Sequence, residues 1–165
     1  MSANNNIPSY YTNQLIQRVI NIPFNKVTKN IKDVLHEKIK SDIEGKCTRE
    51  GYVRPDSIKI IQYSNGMLED DAITYTVLFT CDLFYPSMDM TLKCRVHTNT
   101  KEGVTAITSF NEPTPPFIVN IVKNYHPSNE RVVSFKKGDI FTCIVKAFRS
   151  EINDSYINII GILSP

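Results

Sequence analysis

The chain has no tryptophan, few glycines and four scattered cysteines. Each shortage closes off a class of function. None of the six glycines builds a phosphate-cradling GxxxxGK[ST] or GxGxxG loop, and no GxSxG nucleophile turn occurs. Cys47, Cys81, Cys94 and Cys143 form no CxxC, and none has a histidine at metal-ligand spacing. They read as buried free thiols in a reducing compartment, with no zinc and no other cofactor expected. A net charge of +2 is too small for a nucleic-acid-binding field across the whole surface. The start, MSANNNIPSYY, lacks a charged-then-apolar leader pattern, and no apolar run reaches the length of a membrane span. An intracellular, soluble protein with no membrane partner is the expectation. Heavy use of Ile, Asn and Lys hints at an AT-rich coding sequence.

What is present is ordinary globular composition, with 41% hydrophobic and 22% charged residues. Residues 13–22 read as a strand ended by Pro23. From Asn25 to Glu44, residues Val27, Ile31, Val34, Leu35, Ile39 and Ile43 recur at three- and four-residue steps, which predicts an amphipathic helix. Gly45 stands where a left-handed stop is expected. A short strand begins at Cys47, is interrupted at Gly51, resumes at Tyr52 and Val53 and ends at Pro55. SIKIIQY (57–63) is a strand closed by the turn Ser64-Asn65-Gly66, followed by an acidic loop, Glu69 to Asp71.

Residues 73–85 alternate most clearly. Ile73, Tyr75, Val77, Phe79, Cys81 and Leu83 share one face of a strand long enough to run from one small unit into a second. After Pro86 about five short strands separated by turns predict a small barrel, with the OB-fold the common one of that size and a sandwich the alternative. The predicted fold is therefore α+β. Residues 1–12 form a flexible start, 13–85 a helix on a small antiparallel sheet, and 86–165 an OB-fold β-barrel.

No catalytic set emerges. His36 and His97 sit on polar faces, no HExxH occurs, and the Glu69-Asp70-Asp71 run lacks the spacing of a calcium loop. Nucleic-acid binding has modest support. Up to residue 85 the chain carries 10 basic and 10 acidic residues; beyond it, 9 basic and 7 acidic. Lys93, Arg95 and His97 alternate on one strand, so they share its outer face. Lys136, Lys137, Lys146 and Arg149 extend the candidate patch, with Phe110, Phe117 and Tyr125 offered for base stacking. A mixed-charge solvent face explains the same residues about as well.

The helix leading into EGKCTREGYV (44–53), the strand SIKII and the long strand ending in LFYP (83–86) resemble the stalk subunit of archaeal and eukaryotic DNA-directed RNA polymerases, the seventh subunit of RNA polymerase II. The matching positions are Gly45, Cys47, Gly51, Tyr52, Val53, Phe84 and Pro86. Val133 to Lys137, a strand ending near Phe148, and INIIGIL (157–163) extend the similarity over residues 13–163. The resemblance implies a non-catalytic subunit with an N-terminal tip domain that wedges onto the polymerase core and an OB barrel near the RNA exit. The implied partners are core subunits, a small helical stalk subunit and, weakly, nascent RNA. It further implies that Gly45, Cys47, Gly51, Tyr52, Val53, Pro55, Asn65 and Gly66 form the docking tip, with Cys47 a filler and Tyr52 a packing or docking aromatic. Departures from the family are Ser87 to Met90, where a glycine commonly leads into the barrel, and the threonines of GVTAITSF, where RNA-binding barrels often show aromatics. Location would be the nucleus for a cellular protein, and host cytoplasm or virion for one from a large DNA virus. The alternative is a free-standing single-stranded RNA-binding OB-fold protein acting in translation or as an RNA chaperone.

Overall fold

The computed structural model describes residues 10–108, 115–126 and 130–165. Within them the order is β1 (Thr12–Pro23), a 3-10 turn (Phe24–Lys26), α1 (Ile31–Ile43), β2 (Cys47–Thr48), β3 (Gly51–Val53), β4 (Lys59–Tyr63), β5 (Met67–Glu69) and β6 (Ala72–Phe84). There follow β7 (Thr91–Asn99), β8 (Gly103–Thr108), β9 (Phe117–Val122), a 3-10 turn (Lys123–Tyr125), α2 (Glu130–Ser134), β10 (Ile140–Arg149) and β11 (Ile157–Leu163). The protein is mixed α+β and dominated by strands.

β6 organises the first half. β1 pairs with it along one edge in an unbroken antiparallel register from Thr12↔Leu83 to Pro23↔Ala72. Its other edge is shared end to end by β5, β4 and β3. The period-two pattern explains why: Tyr75, Val77, Phe79, Cys81 and Leu83 are all buried on one face. Leu35 and Ile39 of α1 join Ile16, Ile20 and Ile22 of β1 in that same core, with Val27, Ile31, Val34 and Ile43 around them. The helix starts at Ile31, six residues later than its apolar stripe suggested. Phe24–Lys26 is a tighter turn, and Asn30 holds the N-cap position, its backbone carbonyl accepting the N–H of Asp33 at 3.2 Å and its side-chain amide donating to the Asp33 carboxylate. Asparagine favours that position over a helix interior.

The second half is one closed five-stranded barrel, ordered β10-β11-β9-β8-β7 and closed by β10 on β7. Four pairings are antiparallel, and β9 with β11 is parallel. The strand count, the order and the position of α2 between β9 and β10 are compatible with an OB-like barrel. α2 and β5 were not legible as elements, because five and three residues are too few to display a period. Val132 places α2 on the barrel core. Asn99 Nδ2 donates to the carbonyls of Val132, Val133 and Phe135 and so closes the helix's C-terminal end.

Tyr10 and Tyr11, assigned by the sequence to a flexible start, instead pack against the barrel core, and Tyr10 Oη accepts the Lys93 N–H at 3.2 Å. An aromatic pair has enough area to hold a strand's lead-in in place. Among the described residues no helix is long and apolar enough to cross a membrane.

Candidate functional site

The β2–β3 hairpin lies where the sheet meets the barrel. Gly45 takes φ +69° just after α1, as its place predicts, and donates its N–H to Val53 O at 2.9 Å. Cys47 is 1% exposed. Its N–H donates to Asp154 O at 2.7 Å, and its carbonyl accepts from Asn153 N–H at 2.8 Å, so the hairpin is tied to the β10–β11 loop. Burial, followed by the nearby Asp154 carboxylate, pushes the Cys47 thiol above its ordinary range. Gly51 has φ +136°, and a Cβ there would stand 2.6 Å from the carbonyl oxygen of Phe84. Only glycine permits β3 to approach the end of β6 this closely. Tyr52 then pairs with Phe84, and Val53 with Leu83.

This placement divides the eight residues named for docking. Cys47, Tyr52 and Val53 are buried, with Tyr52 in the barrel core and Val53 in the sheet core. Tyr52 is a packing aromatic, and its ring offers a partner no surface. Pro55 is half-buried beside Gly45. Asn65 and Gly66 are exposed, but at the other end of β6, where a Cβ on Gly66 would meet Ile73 and Tyr75. Nine strand steps separate Tyr75 from Phe84, about 30 Å at ~3.3 Å each. The eight residues therefore form two sites: a buried junction, and an exposed turn flanked by Met67 and Leu68, which are 67% and 70% exposed.

Beneath the hairpin, Arg18 of β1 forks onto Glu50, with Nη1 to Oε1 at 2.8 Å and Nη2 to Oε2 at 2.5 Å. Thr48 Oγ1 adds a bond to the same carboxylate at 3.2 Å. The guanidinium, foremost, holds the Glu50 carboxyl at about 2 against a usual 4.5. The sequence reading missed this pair. Its partners are 32 residues apart, and no local pattern joins them.

On the barrel, Lys93, Arg95 and His97 are exposed on the outer face of β7, as alternation requires. Arg95 pairs with Ile107 on one side and Ile140 on the other, and Ile107 pairs with Ile118. One basic residue thus sits in a row of isoleucines across β9, β8, β7 and β10. The turn bearing Lys136 and Lys137 docks beside it, since Gly138 N–H donates to Val96 O and Val96 N–H to Asp139 O. Lys146 and Arg149 lie toward the far end of β10 and are neutralised locally, by Asp89 at 2.6 Å and Glu151 at 2.8 Å. The patch that the structure brings together is therefore Lys93, Arg95, His97, Lys136 and Lys137. Of the stacking candidates, Phe117 is 2% exposed within the core, Tyr125 is 69% exposed, and Phe110 lies outside the described residues.

His126, which no motif marked, is a bridge. Its Nε2 accepts Leu163 N–H at 3.1 Å while Nδ1 lies 3.3 Å from Val122 O, which sets the tautomer with the proton on Nδ1. Cys94 and Cys143 face each other inside the barrel at 3.6 Å, and this contact together with burial pushes the Cys94 thiol upward. Among the described residues no three His, Cys, Asp or Glu side chains gather as a metal-ligand set. No known family model matches the chain, and no curated protein matches it.

Proposed function

We propose that the chain is a non-catalytic stalk subunit of a DNA-directed RNA polymerase, acting in transcription. The observation that carries this reading is the coupling of sheet to barrel through a single strand. β6 delivers Leu83 to one core and Phe84 to the other, and the β2–β3 hairpin bonds to both units. A stalk must hold a barrel at a set distance and angle from its anchor, and a shared strand with a packed junction does that. The resemblance over residues 44–53 and 83–86 falls on this junction. In this reading the sheet half docks on core subunits, with its exposed turn at Asn65 to Leu68 as the contact. The barrel is an OB-fold that touches nascent RNA weakly through Lys93, Arg95, Lys136 and Lys137, and a small helical subunit completes the stalk.

Affinity purification of the tagged chain from its native cells, with mass spectrometry of what co-elutes, tests this. Large polymerase subunits at near-equal stoichiometry are expected. RNA or ribosomes alone would favour the free-standing RNA-binding protein, which the Lys93–Arg95 face also fits.

A further inference from the structure

Asn65 is the only asparagine in the chain that is followed by glycine. The pair sits in a gap in the pairing along β6. β4 ends at Tyr63↔Val77 and β5 begins at Met67↔Thr74. Between them Ser64 holds the strand, its N–H donating to Thr76 O and its Oγ accepting Thr76 N–H, both at 2.9 Å. Asn65 and Gly66 are exposed. Among the described residues neither the Asn65 side-chain amide nor the Gly66 N–H makes a hydrogen bond. The fold accounts for the glycine, because a Cβ there would stand 2.4 Å from Ile73 Cγ2 and 3.0 Å from the Tyr75 ring. It gives no such account of the asparagine. The Asn65 amide holds nothing, and its backbone is not in the left-handed region that favours this residue.

We propose that Asn65 is a self-modification site, converted through a cyclic imide to isoaspartate and aspartate, with Ser64 as its positioning residue. The Gly66 backbone nitrogen gives its proton to solvent base and attacks Asn65 Cγ. A C–N bond forms, the Cγ–Nδ2 bond breaks, and the amide nitrogen takes up a proton and leaves as ammonia. Water then opens the ring. Opening at Cγ gives aspartate. Opening at the backbone carbonyl carbon gives isoaspartate, in which the main chain runs through Cβ and Cγ. The step needs no oxidant, reductant or cofactor. Glycine leaves the attacking nitrogen uncrowded, since it has no Cβ. Ser64 supplies the activation. Its Oγ donates to Asn65 O at 3.1 Å while accepting Thr76 N–H. Hydrogen bonds in a chain polarise one another, and drawing charge toward Asn65 O makes the N–H of the same peptide unit easier to deprotonate. Either product puts a new carboxylate beside exposed Met67 and Leu68, next to the acidic run Glu69 to Asp71. On the stalk reading this is the docking contact, so an aged chain would dock less well; that consequence rests on that reading, and the modification does not.

The test is to age the full, folded chain at mildly alkaline pH in heavy-oxygen water and to map it by peptide mass spectrometry. Residue 65 is expected to convert ahead of every other asparagine and to gain one labelled oxygen. A protein isoaspartyl methyltransferase is expected to methylate the product. Asn65→Gln, which alters an exposed side chain that bonds to nothing, should leave circular dichroism unchanged and abolish both signals. Ser64→Ala should slow conversion several-fold in the folded chain, and Ser64→Thr should restore it. In urea, where the bond from Ser64 to Asn65 is gone, Ser64→Ala should make no difference. An Asn65 that keeps its amide as the folded chain ages overturns the proposal. So does another asparagine converting first, or a folded-chain rate that Ser64→Ala leaves unchanged. Every readout is on the isolated chain, so none depends on co-purification with a polymerase.

Discussion

Leu83 and Phe84 are neighbours on β6 and belong to different hydrophobic cores. Leu83 turns toward α1 and the sheet; Phe84, fully buried, turns into the barrel, 6.3 Å from the Phe117 ring. Strand alternation alone produces this division, because consecutive side chains point to opposite faces. The two substitutions should therefore be separable. Phe84→Ala should cost about 3–5 kcal/mol and Leu83→Ala about 2–5 kcal/mol. Hydrogen exchange should rise first in β7–β11 for the former and in β1, α1 and β4 for the latter.

Gly51→Ala should be among the most damaging small changes. The added methyl meets a backbone carbonyl, which cannot rotate away, at a φ that side chains rarely adopt. Backbone strain of about 1–3 kcal/mol is expected before the clash is counted. Thermal unfolding would show a lowered Tm, and exchange would rise in Cys47 to Val53. Gly138→Ala is the comparison. It also has positive φ, but open space lies around it, so its loss should be smaller.

The Arg18–Glu50 fork predicts an acid limb. Glu50 has a depressed pKa in the folded chain, so the unfolded chain binds the proton more readily. Its contribution is present above the usual 4.5 and is lost as pH falls toward about 2. Glu50→Gln should lower the Tm at neutral pH and flatten its decline across that window. Melting curves over a pH series check both.

RNA contact, if it uses the β7 face, should divide the basic residues. Lys93→Glu/Arg95→Glu should weaken binding and reduce its salt dependence, since each phosphate contact contributes to the slope. Lys146→Glu/Arg149→Glu should do less, because both lie on β10 beyond the stretch Ile140 to Ile144 that pairs with β7. Fluorescence anisotropy with a single-stranded oligonucleotide at several salt concentrations reads the difference.

Much of this architecture was legible in the chain. The alternation of β6, the helical stripe ended by Gly45, and the turns at Ser64 to Gly66 and Lys136 to Asp139 are local physics, written within a few residues. So is the outward placement of Lys93, Arg95 and His97. The strand count after Pro86 pointed to a barrel for the same reason.

Other features rest on residues far apart in sequence, and local pattern carries no information about them. The parallel pairing of β9 with β11, the tie between Cys47 and the Asn153–Asp154 loop, and the Arg18–Glu50 fork are of this kind. Tyr52 shows the boundary. Its chemistry allowed packing or docking, and only the approach of β3 to the end of β6, permitted by Gly51, buried it. The sequence determined which faces are apolar and where the chain turns, because side-chain alternation and backbone sterics act within a few residues. Tertiary structure alone decided which apolar face became core and which turn stayed exposed, because both depend on what the rest of the chain folds against.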